Sequence, residues 1–231
     1  NDGKVILFYK EGPNPREWWG LYKESADEGK TWSALTTLVD FHELQAGNPT
    51  PILDNTDPRF PKGRIFLFYN TGNNHENEIR EGKGLREVWY ITSTDGGLTW
   101  TKPVNITFQV HRPNQPTLNA VYAFKEDWRH YANGPGHGMQ FTQGPYVGRI
   151  LIAANHSEGP RGERGADYRA HTFYSDDHGA TFQLGASISI PGSNESSATE
   201  ISGGRLVMNI RNQRGDIRQR IIGLSDDGSA S

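Results

Sequence analysis

The stretch that decides the fold is STDGGLTW at residues 93–100. Its pattern, Ser-x-Asp-x-Gly-x-Thr followed by an aromatic residue, recurs as SADEGKTW at residues 25–32 and as SDDHGATF at residues 175–182. A fourth copy begins with SDDG at residues 225–228 and then departs, because Ser229 stands where glycine is expected and Ser231 where threonine is expected. Aspartate bonds the backbone of its own turn, and glycine supplies a positive φ. The motif therefore predicts a turn that recurs in successive hairpins.

Each copy of the motif follows a short segment that is typical of a β-strand. The four segments are residues 21–24, 88–92, 171–174 and 221–224. A turn repeated at the same place in successive hairpins indicates repeated sheets. The first three copies are spaced more widely than the roughly 40–50 residues of a minimal propeller blade, so insertions are expected. The sequence thus predicts an all-β protein with about four repeated sheets.

Composition and charge argue against several classes of function. The formal net charge is −3 with no basic run, so nothing predicts a nucleic-acid partner. Cysteine is absent, and no apolar stretch approaches the roughly 18 residues of a membrane span. The eight histidines are scattered and predict no metal site, and no cofactor is expected. The chain starts at Asn1 without a methionine, and we expect it to be a piece of a longer protein.

A predicted β-hairpin at residues 194–211 carries the first candidate functional residues. A polar strand containing Glu195 enters, Ser-Gly-Gly at residues 202–204 turns, and an alternating strand returns to Arg211. Strand pairing predicts that the carboxylate and the guanidinium lie on one side of a sheet. From these residues alone, an ordinary surface hairpin with solvated charges is an equal alternative.

Three other stretches have features of a binding site or of a loop. GPGHGMQ at residues 134–140 contains three glycines, which allow close backbone approach to a ligand. Within it, His137 is either a ligand contact or, more simply, a turn residue. The loop at residues 10–19 ends in paired tryptophans, which suit inter-blade packing better than a sugar platform. Residues 71–83 are polar and predict an exposed loop.

The motifs, taken in order, resemble those of exo-α-sialidases. The stretches that carry the resemblance are residues 134–140, 151–156, 174–179, 194–200 and 209–211. The repeated turn resembles the Asp box of sialidase-like β-propellers, which is a folding element rather than a catalytic one. The resemblance implies a six-bladed propeller, of which residues 1–231 would form about four blades of a single domain that is incomplete at both ends.

The resemblance also implies a chemistry. Sialidases use a tyrosine nucleophile activated by a glutamate, because a neutral nucleophile is not repelled by the substrate carboxylate. Three arginines bind that carboxylate with paired donors, and an aspartate is the general acid and base. Glu195 matches the glutamate, with Glu200 as an alternative. Arg211 matches the second arginine, with Arg218 and Arg220 as alternatives.

Some expected parts have no match in the chain. The loop that should hold the acid/base aspartate contains none, so Glu17 is the nearest carboxylate and the second catalytic candidate. Asn14, Asn48, His137 and Gln140 are the further candidates for substrate binding. The nucleophilic tyrosine and the other two arginines are expected outside residues 1–231.

Two functions follow as hypotheses. The first is a secreted or periplasmic retaining sialidase, or a sialidase-like glycosidase, that acts on a sialylated or other acidic glycan without a cofactor. The second is a non-catalytic Asp-box propeller that binds a glycan or a protein. The absence of an aspartate from the first loop favours the second hypothesis.

Overall fold

The computed structural model describes residues 4–11, 19–41, 44–226 and 228. This part of the chain folds into four antiparallel sheets that follow one another in sequence. The first sheet comprises β1 (Val5–Glu11), β2 (Trp19–Ser25) and β3 (Thr36–Val39). The second comprises β4 (Gln45–Asp54), β5 (Arg64–Gly72), β6 (Arg86–Ser93) and β7 (Val104–Asn105).

The third and fourth sheets complete the described fold. The third comprises β8 (Trp128–Asn133), β9 (Met139–Gln140), β10 (Ile150–Glu158), β11 (Tyr168–Ser175) and β12 (Gln183–Ser187). Its order is β12-β11-β10-β8, and β9 also pairs with β10. The fourth comprises β13 (Ser193–Ile201), β14 (Arg205–Asn212) and β15 (Ile221–Ser225). Four meanders in succession confirm the prediction of an all-β protein with about four repeated sheets.

The Asp-box turns have one repeated hydrogen-bond pattern. In the first copy the Ser25 hydroxyl donates to Asp27 Oδ1 at 2.7 Å and accepts from the Gly29 amide at 2.8 Å. Asp27 also accepts from the amide and hydroxyl of Thr31, at 2.8 and 2.6 Å. The same contacts recur in the copies at residues 93–100 and 175–182. Because these carboxylates are occupied by their own turns, they stabilise the fold rather than act on a ligand. Much of the fourth copy lies outside the described residues.

The hydrophobic core lies between neighbouring sheets. The second and third sheets enclose the largest cluster, whose fully buried rings include Phe66, Phe68, Tyr131 and Phe173. Burying one such ring contributes about 1.5–3 kcal/mol. A second cluster fills the space between the third and fourth sheets. Its fourth-sheet members are Leu206, Met208 and Ile210, the face that the alternation of the returning strand predicts.

Two short α-helices interrupt the strands of the described part of the chain. They are α1 (Glu76–Arg80), between β5 and β6, and α2 (Thr107–Val110), after β7. The prediction of an exposed loop at residues 71–83 was therefore wrong at α1, where Ile79 and Arg80 are buried. His75 and Glu78 form a capping box at the start of α1. Neither helix, nor any other in the described part, is long and apolar enough to cross a membrane.

Candidate functional site

A polar cleft of about 400 Å³ opens where the second, third and fourth sheets meet. Strands of all three sheets and α1 contribute to its lining. Its arginines are Arg80, Arg86, Arg161 and Arg211, and its acidic residues are Glu76 and Glu195. The remaining lining is mostly asparagine, glutamine, histidine and tyrosine. A mixed, strongly polar lining of this kind suits a polar ligand that carries charge.

Glu195 and Arg211 meet at this cleft. The pairing of β13 with β14 shifts register between Ser193 and Ser196, so Glu195 lies within a β-bulge. Arg211 Nη1 donates to Glu195 Oε2 at 2.8 Å, and both side chains are about half exposed, at 48% and 47%. The hairpin therefore brings the two together on one side of the sheet, as the strand pattern predicted. Their roles toward a ligand stay predictions.

Glu200, the alternative to Glu195, has a different environment. Its carboxylate accepts hydrogen bonds from the amide and hydroxyl of Thr142, at 2.9 and 2.7 Å, and from the amide of Gln143 at 3.0 Å. It does not line the cleft. Glu200 thus holds a neighbouring loop against the hairpin, and we keep Glu195 as the candidate.

The alternatives to Arg211 also lie away from the cleft. Arg220 donates to the Asn209 side chain at 2.6 Å and to its carbonyl at 3.2 Å. Arg218 is exposed, and neither it nor Arg220 lines the cleft. Arg211 therefore remains the candidate from this strand.

Asn48 reaches the same cleft from the second sheet. The pairing of β4 with β5 shifts register between Gly47 and Thr50, and Asn48 has a φ of 55° in this bulge. A non-glycine residue in this region is strained by about 1–3 kcal/mol and is more common at functional sites than elsewhere. The structure brings Asn48, Glu195 and Arg211 together at one cleft.

Gln140 lies elsewhere, on β9 of the third sheet, against the end of β4. Its side-chain NH₂ donates to Asp54 Oδ1 at 2.7 Å and to Thr56 Oγ1 at 2.9 Å, and its oxygen accepts from the Asn55 amide at 3.0 Å. It does not line the cleft, and its role in substrate binding stays a prediction. The partners lie about 85 residues away in sequence, which explains why a local motif did not reveal them.

His137 also lies outside the cleft. It lines a larger cavity, of about 910 Å³, between the first and second sheets, together with apolar residues such as Ile6 and Phe8. Its Nδ1 lies 2.8 Å from the Gly138 carbonyl, within its own turn. This contact is compatible with a turn residue, and a role of His137 toward a ligand stays a prediction. Glu17 and Asn14 lie outside the described residues.

One group of described residues has metal-ligand spacing: Asp54, Asp57 and His178. Their donor atoms are already used by neighbouring side chains. Asp57 accepts from Arg59 and Arg64 at 2.8 and 3.1 Å, and His178 Nδ1 lies 3.0 Å from Asp54 Oδ2. We therefore assign this cluster to the contact between the second sheet and the third Asp box.

The sequence did not reveal the residues that α1 and β11 supply. Arg80 binds Asp167 through two hydrogen bonds of 2.9 and 2.6 Å, and its guanidinium lies 4.5 Å from the ring centre of Tyr168. The Tyr168 hydroxyl donates to Glu76 Oε1. This network fixes the wall of the cleft opposite the hairpin. The capping residues of α1 were the one local signal that could have predicted the helix.

Burial determines which of the titratable side chains in this wall are charged. It raises the pKa of the Tyr168 hydroxyl, an effect that the neighbouring Glu76 carboxylate increases. Burial would also raise the pKa of Glu76, but the Tyr168 hydrogen bond and the charges of Arg86 and Arg80 lower it overall. Burial lowers the pKa of His130 to about 3. At neutral pH the wall therefore holds a carboxylate, a neutral phenol and a neutral imidazole.

Comparison with known proteins shows which family this chain is similar to. The BNR repeat-like domain family matches residues 42–231. Sialidase-4 of Mus musculus is 32% identical over 209 residues, which cover 87% of this chain and 39% of that protein. The sialidase of Micromonospora viridifaciens is 29% identical over 248 residues, which cover 100% of this chain and 33% of that protein. The chain thus spans less than half the length of these relatives.

Solved structures give the same fold. A Hadza microbial sialidase is similar with a TM-score of 0.77 and 21% identity, over 100% of this chain and 43% of that chain. Such a likeness shows the fold alone, and it confirms the predicted partial β-propeller. Since the family match covers most of the chain and the Asp-box geometry recurs in three copies, the chain belongs to the BNR repeat-like domain family, in the exo-α-sialidase group of Asp-box β-propellers.

Proposed function

We propose that this protein is an exo-α-sialidase-type glycosidase that removes terminal sialic acid from glycans. The observation that carries the proposal is the hydrogen bond between Arg211 and Glu195 at the edge of a polar cleft. Relatives named as sialidases support the substrate class. Since fold alone does not imply function, the proposal rests on this pair and on those relatives together.

In the proposed reaction, Glu195 accepts the proton of a tyrosine that attacks the anomeric carbon, while the glycosidic bond breaks and the general acid protonates the leaving oxygen. Water then hydrolyses the tyrosyl–sugar bond and restores the tyrosine. From the resemblance to exo-α-sialidases, that tyrosine is expected outside residues 1–231. A neutral phenol suits this role because the substrate carries its own carboxylate. Arg211 orients the Glu195 carboxylate through Nη1. Its other guanidinium nitrogens have no partner among the described residues, so they are available for the substrate carboxylate.

Tyr168 and Glu76 form a second tyrosine–glutamate pair in the cleft, and we do not assign the nucleophile to it. Tyr168 is only 2% exposed, and its oxygen already engages Glu76. Its raised pKa opposes formation of a phenolate. Glu195, by contrast, is open to a reacting partner. We therefore give Tyr168 a structural role in the wall of the cleft.

The general acid remains a prediction. Glu17 was the candidate from the sequence, and Asn14 was a neighbouring candidate for substrate binding. The secreted or periplasmic location likewise stays a prediction from the sequence.

The deciding experiment measures turnover and binding separately on the full-length protein. We expect release of the fluorophore from a fluorogenic α-sialoside, with the sugar product identified by chromatography. Binding of sialyllactose by calorimetry without any turnover would overturn the enzymatic proposal and favour the alternative, a non-catalytic glycan-binding propeller. Turnover of a matched hexuronide but not of the sialoside would reassign the substrate.

A further inference from the structure

Arg86 is a buried cation without an ion-pair partner among the described residues. It begins β6 directly opposite Gly72 of β5, and its side chain is part of the cleft lining. The residue is 4% exposed, and its Nε is buried without a hydrogen-bond acceptor among the described residues. Leaving a buried polar atom unpaired is costly, and more so in a charged group.

The other arginines of the cleft differ from Arg86 in this respect. Arg80 is bound by Asp167 and Arg211 by Glu195. Arg161 is exposed at the rim, with a carboxylate of Glu81 at 4.0 Å. Arg86 is thus the arginine of the described cleft that is both desolvated and without an ion-pair partner.

The fold makes room for Arg86 in this position. A Cβ on Gly72 would lie 2.9 Å from Arg86 Nη1 and 3.0 Å from its Cζ, so the guanidinium would have to shift to make room for it. Burial lowers the pKa of Arg86 to about 10, so the guanidinium stays charged at neutral pH. The glycine leaves room for the guanidinium, and the retained charge makes it a donor at the wall of the cleft.

A second unpartnered atom lies in the same lining. Asn155 is fully buried, its NH₂ donates to the Ala132 carbonyl at 3.3 Å, and its Oδ1 has no donor among the described residues. His130, two residues before Ala132, likewise has a buried Nδ1 without a partner. This wall therefore leaves both a donor and acceptors unused, which is the complement of a hydroxyl or amide group rather than of a simple ion.

We propose that Arg86 is a specificity-determining residue that donates hydrogen bonds to an uncharged oxygen of the ligand, a hydroxyl or an amide carbonyl. This inference rests on the proposed function and adds to it a second point of recognition apart from the carboxylate held by Arg211. Glu76 offsets the charge of Arg86 at longer range, so the wall selects a neutral polar substituent over a second anion.

The test compares substrates that differ only in such a substituent. The probes are the fluorogenic α-sialoside, its analogue with the polyol side chain shortened by periodate and borohydride, and its analogue with a 5-hydroxyl in place of the 5-acylamino group. For the full-length protein we expect Arg86→Met to lower kcat/KM for the parent by about 10- to 100-fold, the worth of a hydrogen bond to a charged group. For the analogue that lacks the contacted group, Arg86→Met and the wild type should differ in kcat/KM by less than about twofold. Which of the two analogues behaves in this way shows whether Arg86 contacts a hydroxyl or the amide.

Two further variants keep this test independent of folding. Gly72→Ala leaves Arg86 in the sequence but displaces its guanidinium, and should reduce the same substrate preference. Arg205→Met, on the exposed side of β14, should leave the preference unchanged. Equal losses on all three substrates in Arg86→Met would show a structural role and overturn the inference, as would no loss at all.

Binding separates this inference from the proposed function. If the wild type turns over none of the probes, calorimetry with free sialic acid decides between them. Weaker binding in Arg86→Met than in wild type would support the recognition role even though the enzymatic proposal had failed. Equal affinity in the two proteins, or no binding by either, would overturn it.

Discussion

His156 and His171 face each other through their Nδ1 atoms, 3.0 Å apart, inside the third sheet. Only one of the two nitrogens can carry a hydrogen, so the contact fixes the tautomers. Glu158 Oε1 lies 3.3 Å from His156 Nε2, and the Tyr131 hydroxyl lies 3.0 Å from His171 Nε2. With His156 donating to Glu158, His171 donates to His156 and Tyr131 donates to His171. All three imidazole contacts are then satisfied, provided that both rings are neutral.

This series of hydrogen bonds between neutral side chains predicts that the protein loses stability in mild acid. Burial lowers the pKa of His156, His171 and the neighbouring His111 well below the ordinary value, and the cations Arg112 and Arg169 add to the effect. Above pH 6.5 the histidines are neutral in the folded and in the unfolded state, so their contribution to the free energy of unfolding is complete. Below pH 6.5 the unfolded chain binds protons that the folded protein does not. Each buried histidine then lowers the free energy of unfolding by about 1.4 kcal/mol per pH unit. Urea denaturation at pH 7, 6 and 5 measures the loss.

A matched control isolates the buried histidines. His137 is exposed, so His137→Gln should leave the dependence of the unfolding free energy on pH unchanged. His156→Gln should make it shallower, because one titrating group of the unfolded chain is removed. A stability that stays flat from pH 7 to pH 5 in the wild type would contradict the prediction.

The local parts of this structure were predictable, and the hairpin shows why. Glu195 and Arg211 are joined by a short turn, so alternation along one strand and pairing with the next determine that they meet. The Asp box is equally local, since Asp95 bonds residues that lie two and four positions away. Signals of this kind are contained in a few consecutive residues.

The wall of the cleft could not be predicted in the same way. Tyr168 and Glu76 are separated by 92 residues and meet only because the second and third sheets pack together. Residues 71–83 have no apolar periodicity, so the capping residues His75 and Glu78 were the one local signal that distinguished α1 from a loop. Arg86 is buried by the same packing, and its sequence neighbours gave no sign of this. Where a function depends on contacts between sheets, one sequence without its fold leaves the residues unassigned.

Replacing the proposed base tests the role of Glu195. Glu195→Gln keeps the size of the side chain and a hydrogen bond to Arg211 but removes the proton acceptor. We expect kcat for a fluorogenic sialoside to fall by about 10²- to 10⁴-fold, the usual contribution of general base catalysis. Because the pair is half exposed, the unfolding free energy should change by less than about 1 kcal/mol.

Glu200→Gln is the matched control for that experiment. Glu200 accepts three hydrogen bonds from residues 142–143 and does not line the cleft. Its replacement should lower stability while kcat stays within about twofold. If Glu200→Gln abolished turnover and Glu195→Gln did not, the assignment of the base would have to move to Glu200.

Arg211 is proposed to bind the substrate carboxylate, so its replacement should appear first in KM. Lysine keeps the charge but cannot bond Glu195 and a substrate carboxylate with paired planar donors. We expect Arg211→Lys to raise KM by at least about tenfold and also to lower kcat, because Glu195 loses its orientation. Steady-state kinetics separate the two effects. Arg205→Lys, on the same strand and 4.0 Å from Asp226, should change neither parameter; equal effects of the two substitutions would contradict the role of Arg211.

The Asp boxes predict a second, more acidic transition in stability. Asp95 accepts hydrogen bonds from the amide and hydroxyl of Thr99, at 2.9 and 2.5 Å, and from the Ser93 hydroxyl at 2.8 Å. The Thr99 bonds, ahead of the Ser93 bond, lower the pKa of Asp95 from 3.8 to about 2. A lowered pKa means stability that is complete above pH 3.8 and is lost as pH falls toward 2. Asp95→Asn should therefore unfold at lower urea concentration at pH 7, and the difference from the wild type should shrink between pH 4 and pH 2. Asp226→Asn, at an exposed aspartate, should match the wild type throughout, and an equal effect of both substitutions would show that net charge rather than the turn is responsible.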